Sequence, residues 1–433
     1  MKTFEFKRIL FCTMLLVLFI NASSEVKIGD ARCEGKINPT GISTNDIRFS
    51  WEILSNEKNV MQSAYQLVIA SSLKNLNDER YDIYNSLVVK SDRSLGVQLK
   101  GKKIESAKSY YWKVKIWDTK KKGTLWSQPQ KFITGIFTKS EWKNAKWIGY
   151  ERLKESLLLV PGDAGSGDNL GKVALERPVI PIFRKEFTVK KKVLNAQLFI
   201  TGLGQYEASI NGDKVGNSFL APGWTDYDKT VLYNTYDVTE QLKEGQNAIG
   251  VIVGNGFHNI NRERYRKLVI TFGMPRMISK LKIIYTDGTE ETIVSGDDWK
   301  CAPSPITFTS IYGGEDYDAQ LEQKGWNNPG FDDSKWKNAL LTNVPKGKLT
   351  AETDFPLKVM DIITVQNISQ PEPAKYLYDF GQNASGIIEL KVIGKKGQII
   401  KLTPGELINQ KKMINQNASG SPYYLTYTLK GEG

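Results

Sequence analysis

The sequence predicts an all-β protein built of tandem β-sandwiches. Short stretches rich in Val, Ile, Tyr and Thr alternate with polar residues along most of the chain, and Gly, Pro, Asn-Gly and Asp-Gly separate them. The 3.6-residue periodicity of amphipathic helices is almost absent. At about 100–200 residues per domain, a chain of 433 residues predicts two to four domains.

Residues 1–24 predict a secretory signal peptide. Lys2, Lys7 and Arg8 precede an apolar run over residues 9–20, and small residues follow it. A run of about a dozen apolar residues is too short to cross a bilayer, and no later stretch approaches the ~20 residues needed. We therefore expect cleavage before Glu25 and an exported protein, periplasmic or extracellular, with no membrane span.

The composition argues against several classes of site. The chain has 59 Lys and Arg against 47 Asp and Glu, but the lysines cluster at predicted turns, which favours a solvated surface over a nucleic-acid site. The single histidine, His258, excludes a zinc site with two or more histidine ligands, and we interpret it as structural. Beyond the signal peptide only Cys33 and Cys301 remain, too few for a disulfide framework.

The first block, residues 25–137, has the length of one β-sandwich. Its strands are expected at residues 47–52, 64–70, 110–117 and 130–134. Tryptophans within these stretches are expected to pack in the core or against its walls.

The second block, residues 145–342, predicts a sandwich of the jelly-roll type. Strands are expected at residues 183–189, 198–201, 206–210, 280–285 and 291–294. Asn211-Gly212 and Asp287-Gly288 are strong hairpin signals. The Gly- and Pro-rich residues 153–177 interrupt the pattern and predict a surface insertion.

A third all-β block covers residues 350–433. Strands are expected at residues 375–379, 386–392, 399–403 and 423–429. The pattern stops directly after the last of these, and a sandwich with so few strands leaves edges unpaired, so we expect this block to be incomplete.

Two motifs each have both a functional and a structural interpretation. Residues 202–207 (GLGQYE) lack the third glycine of a nucleotide loop and no helix follows, so a turn is the better interpretation. Glu315, Asp316 and Asp318 form an oxygen-rich cluster that suits Ca²⁺, which takes six to eight oxygen ligands. The alternative is that these carboxylates cap turns or pair with lysines.

Two loops mix aromatic with polar residues. The first contains Trp224 and Asp226, and the second, residues 254–259, contains Asn255. Sugars present an apolar face and a rim of hydroxyls, so such loops suit a carbohydrate site. Trp224 is equally compatible with a core position between sheets.

Several stretches resemble bacterial α-L-rhamnosidases. The second block resembles their N-terminal accessory domain at residues 183–187 (FRKEF), 202–206 (GLGQY), 220–225 (LAPGWT), 236–239 (YDVT), 254–256 (GNG) and 311–319 (IYGGEDYDA). Residues 50–52 (SWE), 62–65 (QSAY) and 111–114 (YWKV) resemble the fibronectin-III-like domain that opens many of these enzymes. Residues 378–383 (YDFGQN) resemble the start of their concanavalin-like domain.

The resemblance implies the N-terminal part of an exported glycosidase that hydrolyses terminal α-L-rhamnosyl residues in a glycan or glycoside. Family members are inverting enzymes whose two carboxyl groups, ~6.5–9.5 Å apart, lie in an (α/α)₆ barrel that follows these β-domains. The signature of that barrel does not occur here, so we assign no catalytic residue and expect the chain to be inactive alone. Truncation, a split gene and a frameshift each explain the missing barrel, and a separate polypeptide that carries the barrel is one candidate partner.

Two other interpretations stay open. Some accessory domains of this family are rhamnose-binding modules, so the chain is also compatible with a freestanding, calcium-dependent rhamnose-binding or surface-interaction protein. The sugar-binding candidates are Trp224, Asp226, Asn255, Glu315 and Asp316, and the calcium candidates are Glu315, Asp316 and Asp318. A purely structural spacer is the third interpretation.

Overall fold

The structure is a computed structural model that describes residues 26–44, 46–99, 101, 104–153, 177–260, 263–265, 267 and 270–432. The predicted signal peptide and nearly all of the predicted insertion 153–177 lie outside the described residues. The described residues form strands, one short α-helix and a few 3-10 turns, which confirms the all-β prediction. None of their helices is long and apolar enough to cross a membrane. The chain divides into two compact units, residues 1–39 with 44–133 and residues 40–43 with 134–433.

Unit 1 contains eight strands and one α-helix among its described residues. They are β1 (Lys27–Cys33), β2 (Arg48–Leu54), β3 (Gln62–Ala70), α1 (Leu73–Asn77), β4 (Tyr84–Asn85), β5 (Val89–Lys90), β6 (Val97–Gln98), β7 (Ser109–Asp118) and β8 (Gln130–Ile133). One sheet has the order β1-β2-β6, and the other has the order β4-β3-β7-β8 with β5 also paired to β3.

The two sheets of unit 1 share an aromatic core. Phe49 on β2 contacts Trp112 on β7 with ring centroids 4.7 Å apart, and Phe132 on β8 stacks on Tyr110 at 5.1 Å. All four side chains are buried. Buried and half-buried residues alternate along most of β7, because successive side chains of a strand point to opposite faces, and the buried ones contribute to this core.

Unit 2 begins with a large two-sheet sandwich. The strands of unit 2 up to residue 303 are β9 (Ile148–Gly149), β10 (Pro181–Val189), β11 (Val193–Leu203), β12 (Tyr206–Ile210), β13 (Asp213–Lys214), β14 (Thr230–Asp237), β15 (Gly245–Val253), β16 (Asn259–Ile260), β17 (Ile270–Thr271), β18 (Arg276–Tyr285), β19 (Glu290–Val294) and β20 (Lys300–Pro303). Of these, β16 and β17 form a separate two-stranded sheet. The later strands are β21 (Ile306–Ser310), β22 (Gly314–Asp318), β23 (Lys337–Asn338), β24 (Leu340–Leu341) and β25 (Lys348–Ala351).

The sandwich pairs two sheets. One has the order β13-β12-β15-β10-β20-β23, and the other has the order β24-β9-β18-β11-β14-β25 with β19 paired to β18. Phe183 and Val251 from the first sheet and Leu198 and Leu281 from the second belong to one buried cluster, which is the core of the sandwich. Asn211-Gly212 forms the tight turn between β12 and β13, with positive φ at both residues, as predicted.

The chain after β25 adds shorter elements to unit 2. They are β26 (Asn367–Glu372), β27 (Lys375–Asp379), β28 (Ile399–Leu402), β29 (Leu407–Ile408), β30 (Ile414–Asn415) and β31 (Tyr424–Thr428). β26 pairs with β27 and β29 with β30, whereas β31 joins a four-stranded sheet of order β21-β22-β31-β28. The β22–β31 pairing is parallel and places Asp316 opposite Thr426. Residues from the third predicted block therefore lie in one sheet with residues of the second, and a domain boundary near residue 350 stays a prediction.

Candidate functional site

Four aromatic side chains form a ladder beside the sandwich of unit 2. The indole of Trp224 stacks on the ring of Phe257, with centroids 4.3 Å apart and planes 9° from parallel. Tyr312 meets Phe257 edge-on at 6.1 Å, and Tyr265 meets Tyr312 at 6.2 Å. Trp224 is 53% exposed, so the structure places it at the surface rather than between sheets. We call these four residues the aromatic ladder.

Three loops are joined by backbone contacts beneath the ladder. The amide of Gly254 donates to the carbonyl of Gln205 at 2.7 Å, and the amide of Tyr206 donates to Ala221 at 2.8 Å. Gly204 lies so close to Asn255 that a Cβ on Gly204 would collide with the Asn255 carbonyl. The GLGQY stretch is thus a close-packed turn, as predicted, and it holds the loops that carry Trp224 and Phe257.

Asn255 lies beneath the surface. Its side chain is only 1% exposed, and its Nδ2 donates to the carbonyl of Thr309 at 2.9 Å. Its Oδ1 has no hydrogen-bond partner among the described residues. Asn255 therefore ties its loop to β21 and keeps one acceptor free.

Asp226 is exposed, and its carboxylate contacts residues of its own turn. Its Oδ1 accepts from the amide of Asp228 at 3.1 Å, and its Oδ2 lies 3.1 Å from Nζ of Lys229. The hydrogen bond from Lys229 and that from the Asp228 amide lower the pKa of Asp226. The carboxylate is charged at neutral pH and open to solvent.

The three calcium candidates face different partners. Residues of β22 alternate between faces of the sheet, so Glu315 points away from Asp316 and Asp318. Glu315 accepts from the hydroxyl of Thr309, and burial and the charge of Asp316 raise its pKa. The Asp318 carboxylate accepts from the amide of Gln320 and caps a 3-10 turn. Across the part of the chain that the structure describes, no group of three or more His, Cys, Asp or Glu side chains is arranged to hold a metal ion. Calcium binding stays a prediction.

Asp316 lies in a network of charges and rings. Nη2 of Arg264 donates to its Oδ2 at 2.6 Å, and the hydroxyl of Thr426 donates to its Oδ1 at 2.5 Å. The Arg264 guanidinium lies 4.2 Å from the ring centre of Phe308 and 3.8 Å from that of Tyr424. Burial alone would raise the pKa of Asp316, but the hydrogen bonds from Arg264 and Thr426 outweigh it and the pKa is lowered. Asp316 is thus occupied by protein partners that link β22 to β31.

His258 is a core residue. Its ring is 1% exposed and lies 5.5 Å from the ring of Tyr227 and 5.9 Å from that of Phe272. Burial, and after it the charge of Arg276, lower the pKa of His258 well below its usual value. These surroundings agree with our structural interpretation of this histidine.

Sequence reasoning missed the residues that organise this region. Arg264 and Thr426 lie 52 and 110 positions from Asp316, and nothing local in the sequence links them. Phe257 belonged to a predicted aromatic loop, but its stacking on Trp224 depends on two loops that meet only in the fold. Arg264 adjoins a single aromatic residue in the sequence, Tyr265, which is only a weak signal for this kind of contact.

Three family models match the chain in order along its length. They are described as "Rha78A-like, N-terminal immunoglobulin domain" (residues 28–138), "Alpha-L-rhamnosidase N-terminal domain" (191–361) and "Bacterial alpha-L-rhamnosidase concanavalin-like domain" (369–433). The first describes an immunoglobulin domain where we expected a fibronectin-III-like one, and both are β-sandwiches.

Curated relatives and solved structures agree with these models. A protein of Formosa agariphila named alpha-L-rhamnosidase is 33% identical over 99% of this chain and 47% of its own length. The alpha-L-rhamnosidase structure from Dictyoglumus thermophilum matches with a TM-score of 0.80 at 37% identity, covering 94% of this chain and 44% of that one. The Streptomyces avermitilis alpha-L-rhamnosidase structure, complexed with L-rhamnose, matches with a TM-score of 0.81 at 25% identity, covering 94% and 54%.

The chain spans about half the length of the curated relatives it matches. Within that span both the sequence and the fold follow theirs from unit 1 to the last strand. Together these matches identify the chain as the N-terminal β-domains of the α-L-rhamnosidase type, in the order in which the relatives carry them.

Proposed function

We propose that the chain forms the accessory, sugar-binding β-domains of an exported α-L-rhamnosidase that hydrolyses terminal α-L-rhamnosyl residues in glycans or glycosides. The observation that carries the proposal is the order of the three family models, which together match most of the chain. The proposal assigns no catalytic residue to this chain, and the catalytic barrel belongs to another part of the enzyme.

The aromatic ladder supplies the sugar contact in this proposal. Phe257 covers one face of the Trp224 indole, and the half-exposed side chain offers the remaining face to solvent. An indole held by stacking loses little conformational freedom when a sugar packs on it. The exposed carboxylate of Asp226, two positions along the same loop, provides an acceptor for sugar hydroxyls.

Titration calorimetry with L-rhamnose tests this contact. A monosaccharide has few heavy atoms, so we expect a Kd near the boundary between micromolar and millimolar. Trp224→Ala should weaken binding at least about tenfold, which corresponds to ~1.4 kcal/mol. Tyr376→Ala removes an aromatic side chain of similar exposure, 58%, and should leave the affinity unchanged. Equal affinities for the Trp224 variant and the unchanged chain would remove the ladder from the proposal.

Calcium dependence forms a separate part of the proposal. A cis-diol that bridges a bound Ca²⁺ replaces two water ligands. The heat of rhamnose binding should vanish with EDTA and return with added Ca²⁺. Glu315→Gln is a more informative variant than a substitution of Asp316, because Glu315 lies outside the Asp316–Arg264 ion pair and its replacement leaves that pair intact. Binding that EDTA does not change would exclude the metal.

Hydrolysis is tested on the chain alone and on a fusion. The chain should show no turnover of an aryl α-L-rhamnoside above a mock-purified control, because the family's catalytic carboxylates lie in the barrel. Fusion to a barrel from a family member should give turnover. A fused protein that binds rhamnose without turnover would favour the freestanding rhamnose-binding protein instead.

Export is tested by sequencing the amino terminus of the mature protein. A secreted or periplasmic product that begins at Glu25 is the expected result. A cytoplasmic product that retains Met1 would overturn this part of the proposal.

A further inference from the structure

Residues 386–392 have the side-chain pattern of a half-buried strand. In an extended chain Ile388, Leu390 and Val392 share one face. Ile387, Glu389 and Lys391 share the other. Glu389 and Lys391 lie 3.5 Å apart as an exposed ion pair. The pattern thus combines a wholly apolar face with one that carries two charges, as in a strand that covers a core.

The structure provides no partner for this segment. Residues 386–392 belong to no strand, and none of their backbone groups has a hydrogen-bond partner among the described residues. Ile388 is 48% exposed and Leu390 is 38% exposed. Backbone groups and apolar side chains are therefore both available in one short segment.

A neighbouring part of the sequence shows the same property. In the β26–β27 hairpin, Ile368 lies opposite Tyr378, and Tyr376 lies on the same face as Tyr378. These three side chains are 56%, 44% and 58% exposed, respectively. A two-stranded hairpin is marginally stable in water, and an apolar face is normally covered by further structure.

We propose that residues 386–392 are a docking strand, to which a strand from the remaining half of an α-L-rhamnosidase pairs by β-addition. This rests on the proposed function. The family model that matches residues 369–433 describes a concanavalin-like domain, and the Formosa agariphila relative is about twice as long as the region it shares with this chain. The half of the Formosa agariphila relative that this chain does not match therefore offers strands from the same family that could cover this segment. β-Addition satisfies the free backbone groups, and the apolar face selects the partner's side chains.

Hydrogen exchange with mass spectrometry tests the proposal on the full chain. The probe is the part of the Formosa agariphila alpha-L-rhamnosidase that this chain does not match. Amides of residues 386–392 should exchange rapidly in the chain alone and at least about tenfold more slowly when the probe is added. Leu390→Lys should weaken probe binding at least about tenfold, because it places a charge in the covered face.

Leu125→Lys is the matched control for the charge substitution. Leu125 is an exposed leucine, 79% exposed, in unit 1, and its replacement should leave probe binding unchanged. Exchange of the β31 amides reports whether Leu390→Lys alters the fold of unit 2, and exchange of the β7 amides does the same for Leu125→Lys in unit 1.

Three results would overturn the docking strand. They are no probe binding, binding that leaves exchange at residues 386–392 unchanged, and protection that rises with the concentration of this chain alone, which would assign the segment to a second copy. Activity separates this proposal from the proposed function. A covalent fusion that hydrolyses an aryl α-L-rhamnoside while the separate probe fails to bind upholds the function and overturns the docking strand. If the probe binds and protects residues 386–392 but the fusion shows no turnover, the docking strand is upheld and the proposed function is overturned.

Discussion

Arg264 and Asp316 form a buried ion pair that joins distant parts of unit 2. Their closest atoms, Nη2 and Oδ2, are 2.6 Å apart, and the side chains are 4% and 12% exposed. Thr426 on β31 donates to the other oxygen of the same carboxylate. Arg177 lies 3.4 Å from it and also pairs with Glu263. The carboxylate of β22 is therefore the common partner of groups from three separate stretches of sequence.

Asp316→Ala should lower the free energy of unfolding by about 3–5 kcal/mol, because it leaves the Arg264 guanidinium buried without its counter-charge. Urea denaturation followed by tryptophan fluorescence measures the change. Lys191→Ala breaks an exposed pair with Asp287, at 48% exposure on both sides, and should cost less than about 1 kcal/mol. Equal losses for the two variants would contradict the buried role of Asp316.

The stability of the protein should depend on the protonation of His258. Burial lowers the pKa of the folded ring, so the folded state stays neutral while the unfolded chain takes up a proton below its pKa of about 6.5. The stabilising contribution is present above that pH and is lost as pH falls toward the folded pKa, by up to ~1.4 kcal/mol per pH unit. Urea denaturation at pH 7.5, 6.5 and 5.5 should show this slope. His258→Gln should flatten it, and a slope that survives in the variant would place the titration elsewhere.

Gly204→Ala should destabilise the loops beneath the aromatic ladder. A Cβ at this position collides with the backbone of Asn255, which cannot move as a flexible side chain can. We expect a loss of about 1–3 kcal/mol or more in thermal or urea unfolding, and weaker rhamnose binding. Gly254→Ala is the control in the same region, because its Cβ would meet its nearest atom at an ordinary 3.6 Å. A stable Gly204 variant would show that the two loops can separate.

Trypsin should cut unit 2 first between its strands. Lys358 and Lys391 are exposed and lie outside the strands, and only a single β-bridge, between Phe219 and Leu357, holds the chain next to Lys358. Lys401 lies in β28, paired with Thr426 of β31. Cleavage needs a locally unfolded segment, so cuts at Lys358 and Lys391 should precede the cut at Lys401. Mass spectrometry of a digestion time course gives the order. Early cleavage at Lys401 would mean that β28 and β31 do not hold this region.

Strands with local turn signals could be predicted well from sequence. The predicted strand at residues 206–210 coincides with β12, and that at residues 375–379 with β27. Alternation with period two and an adjacent Asn-Gly or Gly turn are local properties, so one stretch of sequence contains the whole signal. The strand predicted at residues 386–392 was wrong for this structure, because alternation shows that a segment can pair and does not supply the partner.

The candidate site was harder to predict because its contacts are non-local. Clustering in sequence suggested that Glu315, Asp316 and Asp318 act together, but strand alternation turns Glu315 to the opposite face. Asp316 meets Thr426 because β22 and β31 are parallel neighbours. It meets Arg264 from another part of the chain, between β16 and β17. Trp224 had two interpretations in sequence, and its stacking on Phe257 from another loop decides where it lies.

The parallel pairing of β22 with β31 also imposes an order on biosynthesis. The hydrogen bond between Asp316 and Thr426 cannot form until Thr426, 110 residues further along, has been synthesised. At about 5–20 residues per second, that interval is on the order of ten seconds of translation. During that time the β21–β22 hairpin has a free edge, onto which Tyr424 will later pack so closely that its carbonyl leaves no room for a Cβ on Gly314. The nascent chain therefore has to keep this edge unpaired, or shielded by a chaperone, until β31 emerges from the ribosome.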